Sequence, residues 1–328
     1  MESRHRVYAA AIGTPSLPGL DHERLPRVSM RSTAKPFQLV PLLAKNGKLD
    51  FEPADLALMV SSHHGTPEHA ARVGALLQRL GLGPEHLRCG THPPYFLDTL
   101  PSEDPARTRV YGPLHHNCSG SHAGFLALAL LLSDDPARYL DAAGPGQQHA
   151  HRIVEALAGD KPDIVEDNCG SPSYDLPLAA IAQTYRFLAD PDSLRALDAT
   201  RRDLLAQVAP LDDLVASLRR IAEAMTRQPE WVSSRESAAT RLARLCPPLI
   251  LKHGAEGMLC AAIPTRRAAL ALKVADGNAR AALPVFVELL RRFGWLEGAT
   301  LEAARDLLEP PLRGDRGRIV GRLRVVPA

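Results

Sequence analysis

Apolar positions along this chain change period between helix-like and strand-like spacing, and each change predicts a change of element. Val7 to Ile12 is a short run of small and β-branched residues that reads as a strand, followed by a Pro-rich connection from Gly13 to Arg27. Pro36, Phe37, Gln38, Leu39 and Val40, with Leu42 and Leu43, supply an apolar helix. Pro53 to Met59 predicts a short helix with proline in its first turn. Thr66 and Pro67 open an amphipathic helix, Glu68 to Leu80, that Gly81 and Gly83 stop. Residues 88 to 113 are rich in Pro, Gly and Asp and predict surface loop. The run Phe125 to Leu132 is apolar on every side and predicts a buried central helix, with another helix at Gln147 to Leu157.

The middle and the end of the chain differ in period. Asp192 to Leu245 is helical, charged and rich in alanine, and predicts a helical layer over the core. Met258 to Ile263 and Ala268 to Val274 are apolar runs joined by Pro264 to Arg267, a hairpin pattern. A helix over Asn278 to Phe293 and an edge strand over Arg318 to Val326 follow. Strand, many helices, then strands implies that chain-distant strands pair in one antiparallel sheet with helices against it, an α+β layout. No repeat or long linker interrupts the pattern, so we expect one catalytic domain over 1–328, with a helical subregion of about 60–245 between the sheet-forming ends.

Composition narrows the class. The 328 residues carry 39 Lys+Arg and 37 Asp+Glu, a formal net charge of +2 with both signs interspersed, which calls for neither nucleic acid nor an anionic membrane. The N-terminus lacks the apolar run of a secretory signal, and the longest apolar run is too short to span a bilayer, so a cytoplasmic protein is expected. Five widely spaced cysteines, Cys89, Cys118, Cys169, Cys246 and Cys260, do not resemble a disulfide framework.

Candidate chemistry begins at Arg31-Ser32-Thr33-Ala34-Lys35-Pro36. A serine three residues before a lysine shares a helix face with it, so the amine can take the hydroxyl proton, and the helix N-terminus favours developing negative charge. Only six of the basic residues are lysine: Lys35, Lys45, Lys48, Lys161, Lys252 and Lys273. In an arginine-rich chain a lysine points to something arginine cannot do, above all giving up a proton. Asn-Cys followed by small residues occurs at 117 and at 168, each read as the entry to an apolar helix, and two loops built alike can converge. Each residue also has a plain structural reading: Arg31 as a surface ion-pair partner, the loop histidines as hydrogen-bonded turn residues, the cysteines as small buried apolar groups.

Five stretches taken together, Arg31 to Pro36, Ser62-His63-His64-Gly65, Asn117-Cys118-Ser119-Gly120, Asp167-Asn168-Cys169-Gly170, and Gly254-Ala255-Glu256-Gly257 with Ala271-Leu272-Lys273, resemble the Rhizobium-type L-asparaginase II family. That family is related to the serine β-lactamase and glutaminase fold. The resemblance implies hydrolysis of L-asparagine to aspartate and ammonia through an acyl-serine, with Ser-Lys pairs matched to Ser32 with Lys35 and Ser62 with Lys273. It places Arg31, His63, Asp167 and His122 around the substrate and suggests a homodimer. No organic cofactor is implied. The family's zinc is held by two cysteines, matched by Cys118 and Cys169, and by a lysine whose place is taken here by Ser121; His122 is the local substitute ligand. Two other functions fit the same motifs: an amidase acting on glutamine, a related amide or a β-lactam, and a non-catalytic relative that binds an amino acid or metal.

Overall fold

A computed structural model describes residues 2–17, 20, 25–45 and 49–326. Part of the predicted Gly13 to Arg27 connection, together with Lys48, lies outside them.

Three sheets are present among the described residues. The largest has the order β1-β7-β6-β5, built from β1 (Val7–Ile12), β5 (Ile250–Gly254), β6 (Met258–Ile263) and β7 (Ala268–Val274), all antiparallel. Its first and last strands come from opposite ends of the chain, as an α+β layout requires. A second sheet, β2 (Arg27–Ser29), β4 (Pro172–Pro177) and β3 (Asp163–Glu166), has the order β2-β4-β3. A third is the hairpin β8 (Pro311–Arg313) with β9 (Ile319–Arg322).

The helices in chain order are α1 (Lys35–Gln38), α2 (Val40–Lys45), α3 (Pro53–Met59), α4 (Pro67–Arg79), α5 (Ser119–Leu131), α6 (Pro145–Ala158), α7 (Leu178–Ala189), α8 (Ala199–Ala206), α9 (Leu211–Arg227), α10 (Pro229–Val232), α11 (Ala238–Leu245), α12 (Ala282–Arg292), α13 (Gly298–Ala303) and α14 (Arg305–Leu308). Residues 88 to 113 carry only short 3-10 turns, consistent with the loop expected there.

Strand β6 is apolar throughout and β7 is apolar but for Lys273, because both faces of the large sheet are covered. Alternate residues go to two cores. Met258, Cys260, Ala262, Ala269 and Ala271 face the core that holds α7, whereas Leu259, Ala261, Ile263, Leu270, Leu272 and Val274 face the core under α12. Helix α5 is buried along most of its length, as its all-round apolarity implies.

The structure corrects three readings of the chain. Ile250–Gly254, unassigned from the sequence, is the edge strand of the large sheet. The loop at Cys169 opens onto strand β4 rather than a helix. The strand expected over Arg318 to Val326 is confined to Ile319–Arg322 and pairs only with β8, apart from the large sheet.

Candidate active site

Strand pairing brings the site together. In the small sheet, β2 lies against β4, and the backbone continues this pairing as Met30 N–H donates to the Tyr174 carbonyl at 2.8 Å. The residues just after β2 therefore lie beside those just before β4. Arg31 Nε meets Asp167 Oδ1 at 2.6 Å and Arg31 Nη2 meets Asn168 Oδ1 at 2.8 Å. Arg31 adopts φ 51°, the left-handed region that a long side chain rarely takes. Such a conformation persists only where the surroundings impose it and is most often met at functional positions.

Ser32 follows in a 3-10 turn that leads directly into α1, and it is 6% exposed. Its Oγ donates to Asp167 Oδ2 at 3.4 Å. Lys35, 2% exposed, directs its amine elsewhere: Nζ donates to the Ser61 carbonyl at 2.7 Å and to Ser62 Oγ at 3.4 Å. Ser61 to His64 are themselves held by backbone bonds from Ser62 N–H to the Val232 carbonyl and from His64 N–H to the Ser233 carbonyl.

The second amine at Ser62 is Lys252, on β5. Its Nζ is 2.7 Å from Ser62 Oγ and donates to the His253 carbonyl at 2.8 Å, with the side chain 1% exposed. Lys273, matched to Ser62 from the sequence, does not reach it. That residue lies on the interior strand β7, where its amine bonds the Glu256 carbonyl and stays partly exposed. The edge strand β5, not β7, abuts the turn that carries Ser32. Gly254 permits that approach: a Cβ there would lie 3.0 Å from Met258 Cβ and 3.2 Å from the Met30 carbonyl. The sequence held a signal for Lys252, since it is one of six lysines and stands two residues before the Gly254 to Gly257 stretch.

The surroundings push the two buried amines in opposite directions. Burial, with Lys35 close by, pushes Lys252 well below the ordinary lysine value and favours the neutral amine. Burial pushes Lys35 down as well, but the Cys118 and Cys169 sulfurs and Asp167 outweigh it, so Lys35 is raised and keeps its proton. Cys118 is the anionic partner. The neighbouring Cys169 and the Lys35 amine lower its pKa to about 6, while that of Cys169 rises to about 11. One amine is thus poised to accept a proton and its neighbour to stabilise negative charge.

Two further expected site residues, His63 and His122, are fully buried and partnered within the protein. His63 is fully buried: Nε2 pairs with Ser119 Oγ at 3.0 Å, Nδ1 accepts from Gly65 N–H at 3.0 Å, and the ring stacks on His69. It ties the Ser62 loop to α5. His122, also fully buried, bonds the Tyr139 hydroxyl through Nδ1 at 2.6 Å.

At Cys118 and Cys169 the lysine that would be the family's third zinc ligand is replaced by Ser121. Zinc needs at least a third protein ligand beyond two thiolates. Ser121 Oγ is turned back onto the Cys118 carbonyl at 2.8 Å. His122 Nδ1 is paired with the Tyr139 hydroxyl at 2.6 Å, and its Nε2 is buried with no hydrogen-bond partner among the described residues. Among the described residues no group of three or more His, Cys, Asp or Glu is arranged to hold a metal ion. Among the same residues, no helix is long and apolar enough to cross a membrane.

An α+β fold with a half-buried serine between two buried lysines and an Arg-Asp pair nearby defines a class of site suited to polar amide substrates. The profile of the L-asparaginase II family matches residues 1–325, and the chain belongs to that family. Membership makes it a hydrolase of amide bonds with asparagine as the family substrate. No individual curated protein is significantly similar to it.

Proposed function

We propose that this protein hydrolyses L-asparagine to L-aspartate and ammonia through an acyl-serine intermediate, with Lys252 as the general base. The observation that carries the reading is the 2.7 Å contact between Ser62 Oγ and a lysine driven toward its neutral form by burial and a second cation. Arg31 and Asp167, paired at 2.6 Å, have the charges of a zwitterion's complement. Asparagine exchanges into this pair, its α-carboxylate on Arg31 and its α-ammonium on Asp167.

Ser62 Oγ attacks the side-chain amide carbon as its proton passes to Lys252 Nζ, and the Oγ–C bond forms. The Lys35 ammonium, 3.4 Å from Ser62 Oγ, stabilises the charge that develops. The C–N bond breaks as Lys252 returns the proton to the leaving nitrogen, releasing ammonia. Water then attacks the ester, gives one proton to Lys252, and the C–O bond breaks as Ser62 recovers its hydrogen.

A second reading makes Ser32 the acylated residue, favoured by its place beside the Arg31-Asp167 pair. Acylation trapped by rapid acid quench and read by peptide mass separates the two. Mass added on the Ser62 peptide supports the first reading, and mass on the Ser32 peptide supports the second. Ammonia release by the double variant S32A/S62A at the wild-type rate would remove both.

A further inference from the structure

Residues 92 to 96 lie across the two loops that carry Ser62 and Cys118. His92 Nε2 accepts from Asn117 N–H at 3.1 Å, one residue before Cys118. Phe96 N–H donates to the His64 carbonyl at 2.9 Å, two residues after Ser62. Pro94 closes against the same loop at Gly65, whose φ of 70° suits glycine. A Cβ there would lie 2.3 Å from the His115 carbonyl oxygen and 3.0 Å from Pro94 Cβ. Tyr95 is thus held by its neighbours on both sides. Its ring stacks on His92 at 4.8 Å between centroids and meets the His64 ring edge-on at 6.2 Å. The Ser233 and Ser234 hydroxyls hold His64 in turn, at 3.3 and 3.1 Å.

Although fixed in this way, Tyr95 is 45% exposed. Burial raises the pKa of its hydroxyl, the Cys118 sulfur adds to the rise and the Lys35 amine opposes it, with Asp98 and Asp167 pushing upward. Cys118, Lys35 and Asp167 are all buried. A ring with water on one side and these three groups on the other stands at the entrance of the site.

We propose that the Tyr95 ring sets the length of the substrate side chain, given the reading in which Arg31 and Asp167 hold the α-groups of asparagine and Ser62 attacks its amide. Those anchors fix the two ends of the substrate, so an added methylene has to bulge sideways between them. The ring is the wall that it meets. His92 and His64 flank that ring, and the backbone on either side of it is bonded to the site's own loops, so the wall does not yield without moving them. Glutamine, longer by one methylene, is turned away before its amide carbon reaches the serine, whereas asparagine fits.

Steady-state ammonia release from L-asparagine and from L-glutamine, measured side by side on the full chain, tests this. Wild type should favour asparagine in kcat/KM by at least roughly tenfold, the lower end of what one methylene is worth in a fitted pocket. Y95A should lower that ratio by at least roughly tenfold, chiefly by gaining on glutamine, with Y95L read in its place should Y95A not fold. Y95F keeps the ring and should keep the ratio. A purely structural role for Tyr95 would slow both substrates together and leave the ratio where it was. A wild type that takes both amides equally, a ratio unmoved in Y95A and Y95L, or a ratio lost in Y95F as in Y95A would each overturn the proposal alone. Release of ammonia from neither amide by wild type would overturn the asparaginase reading and the proposal with it.

Discussion

Replacement of Lys252 by methionine gives the sharpest test, because it touches charge, chemistry and stability together. Methionine keeps most of the buried stem and removes the amine that lies 2.7 Å from Ser62 Oγ. A positioned general base contributes about 10²–10⁴-fold, so ammonia release from asparagine should fall by that factor, or ~3–5 kcal/mol of transition-state stabilisation. Stability should move the other way. The folded-state pKa of Lys252 lies well below 10.5, so the unfolded chain binds one more proton in the window between those two values. Wild-type stability is therefore greatest above the upper value and declines by about 1.4 kcal/mol per pH unit as pH falls toward the lower one. K252M lacks this term, so its stability relative to wild type should improve as pH falls from about 10 to about 7. Loss of the bonds to Ser62 and to the His253 carbonyl offsets about 1 kcal/mol each. Lys35, whose pKa is raised, loses its contribution only above 10.5 and does not enter this window. Urea denaturation at several pH values, beside ammonia-release kinetics, reads both effects. A stability difference independent of pH, or turnover close to wild type, would show that Lys252 stays charged and that the base lies elsewhere.

Other substitutions separate the remaining claims. K273M removes an amine bonded to the Glu256 carbonyl and should leave kcat/KM within about threefold, the range expected of a group outside the chemistry; a loss like that of K252M would restore Lys273 to the site. Cys118→Ala withdraws the anion that keeps Lys35 protonated, so the alkaline limb of the kcat/KM profile should move to lower pH, and an unmoved limb would refute the pairing of Lys35 with Cys118. Gly120→Ala puts a Cβ 2.3 Å from the Leu58 carbonyl, a backbone clash between α5 and α3, and should cost about 1–3 kcal/mol in chemical denaturation; a neutral effect would mean that the helices part easily. With Ser121 Oγ turned onto the Cys118 carbonyl, protein purified without chelator should hold less than one zinc per chain by elemental analysis, and a stoichiometric content that disappears in His122→Ala would show that the unpartnered His122 Nε2 replaces the missing ligand.

The sequence alone determined what depends on near neighbours in the chain. Strand β1 falls where small and β-branched residues cluster, α3 and α4 where caps and prolines set helix starts, and the β6 and β7 hairpin where two apolar runs flank a turn, because dihedral preference and side-chain period act over a few residues. Ser32 and Lys35 were legible from their spacing, and Ser62 and Asp167 from the resemblance of their stretches to the family. Which groups touch was decided by the tertiary structure. Lys252 and Lys273 both stand on strands near the end of the chain, and only the order β1-β7-β6-β5 makes β5 the edge that meets the Ser32 turn. Likewise Lys35, three residues after Ser32, gives its protons to Ser61 and Ser62, and the charge of each amine follows from what is buried beside it. Spacing along a chain fixes which face a side chain occupies, but a hydrogen-bond partner and a pKa are properties of the space it faces, and that space is assembled from distant segments.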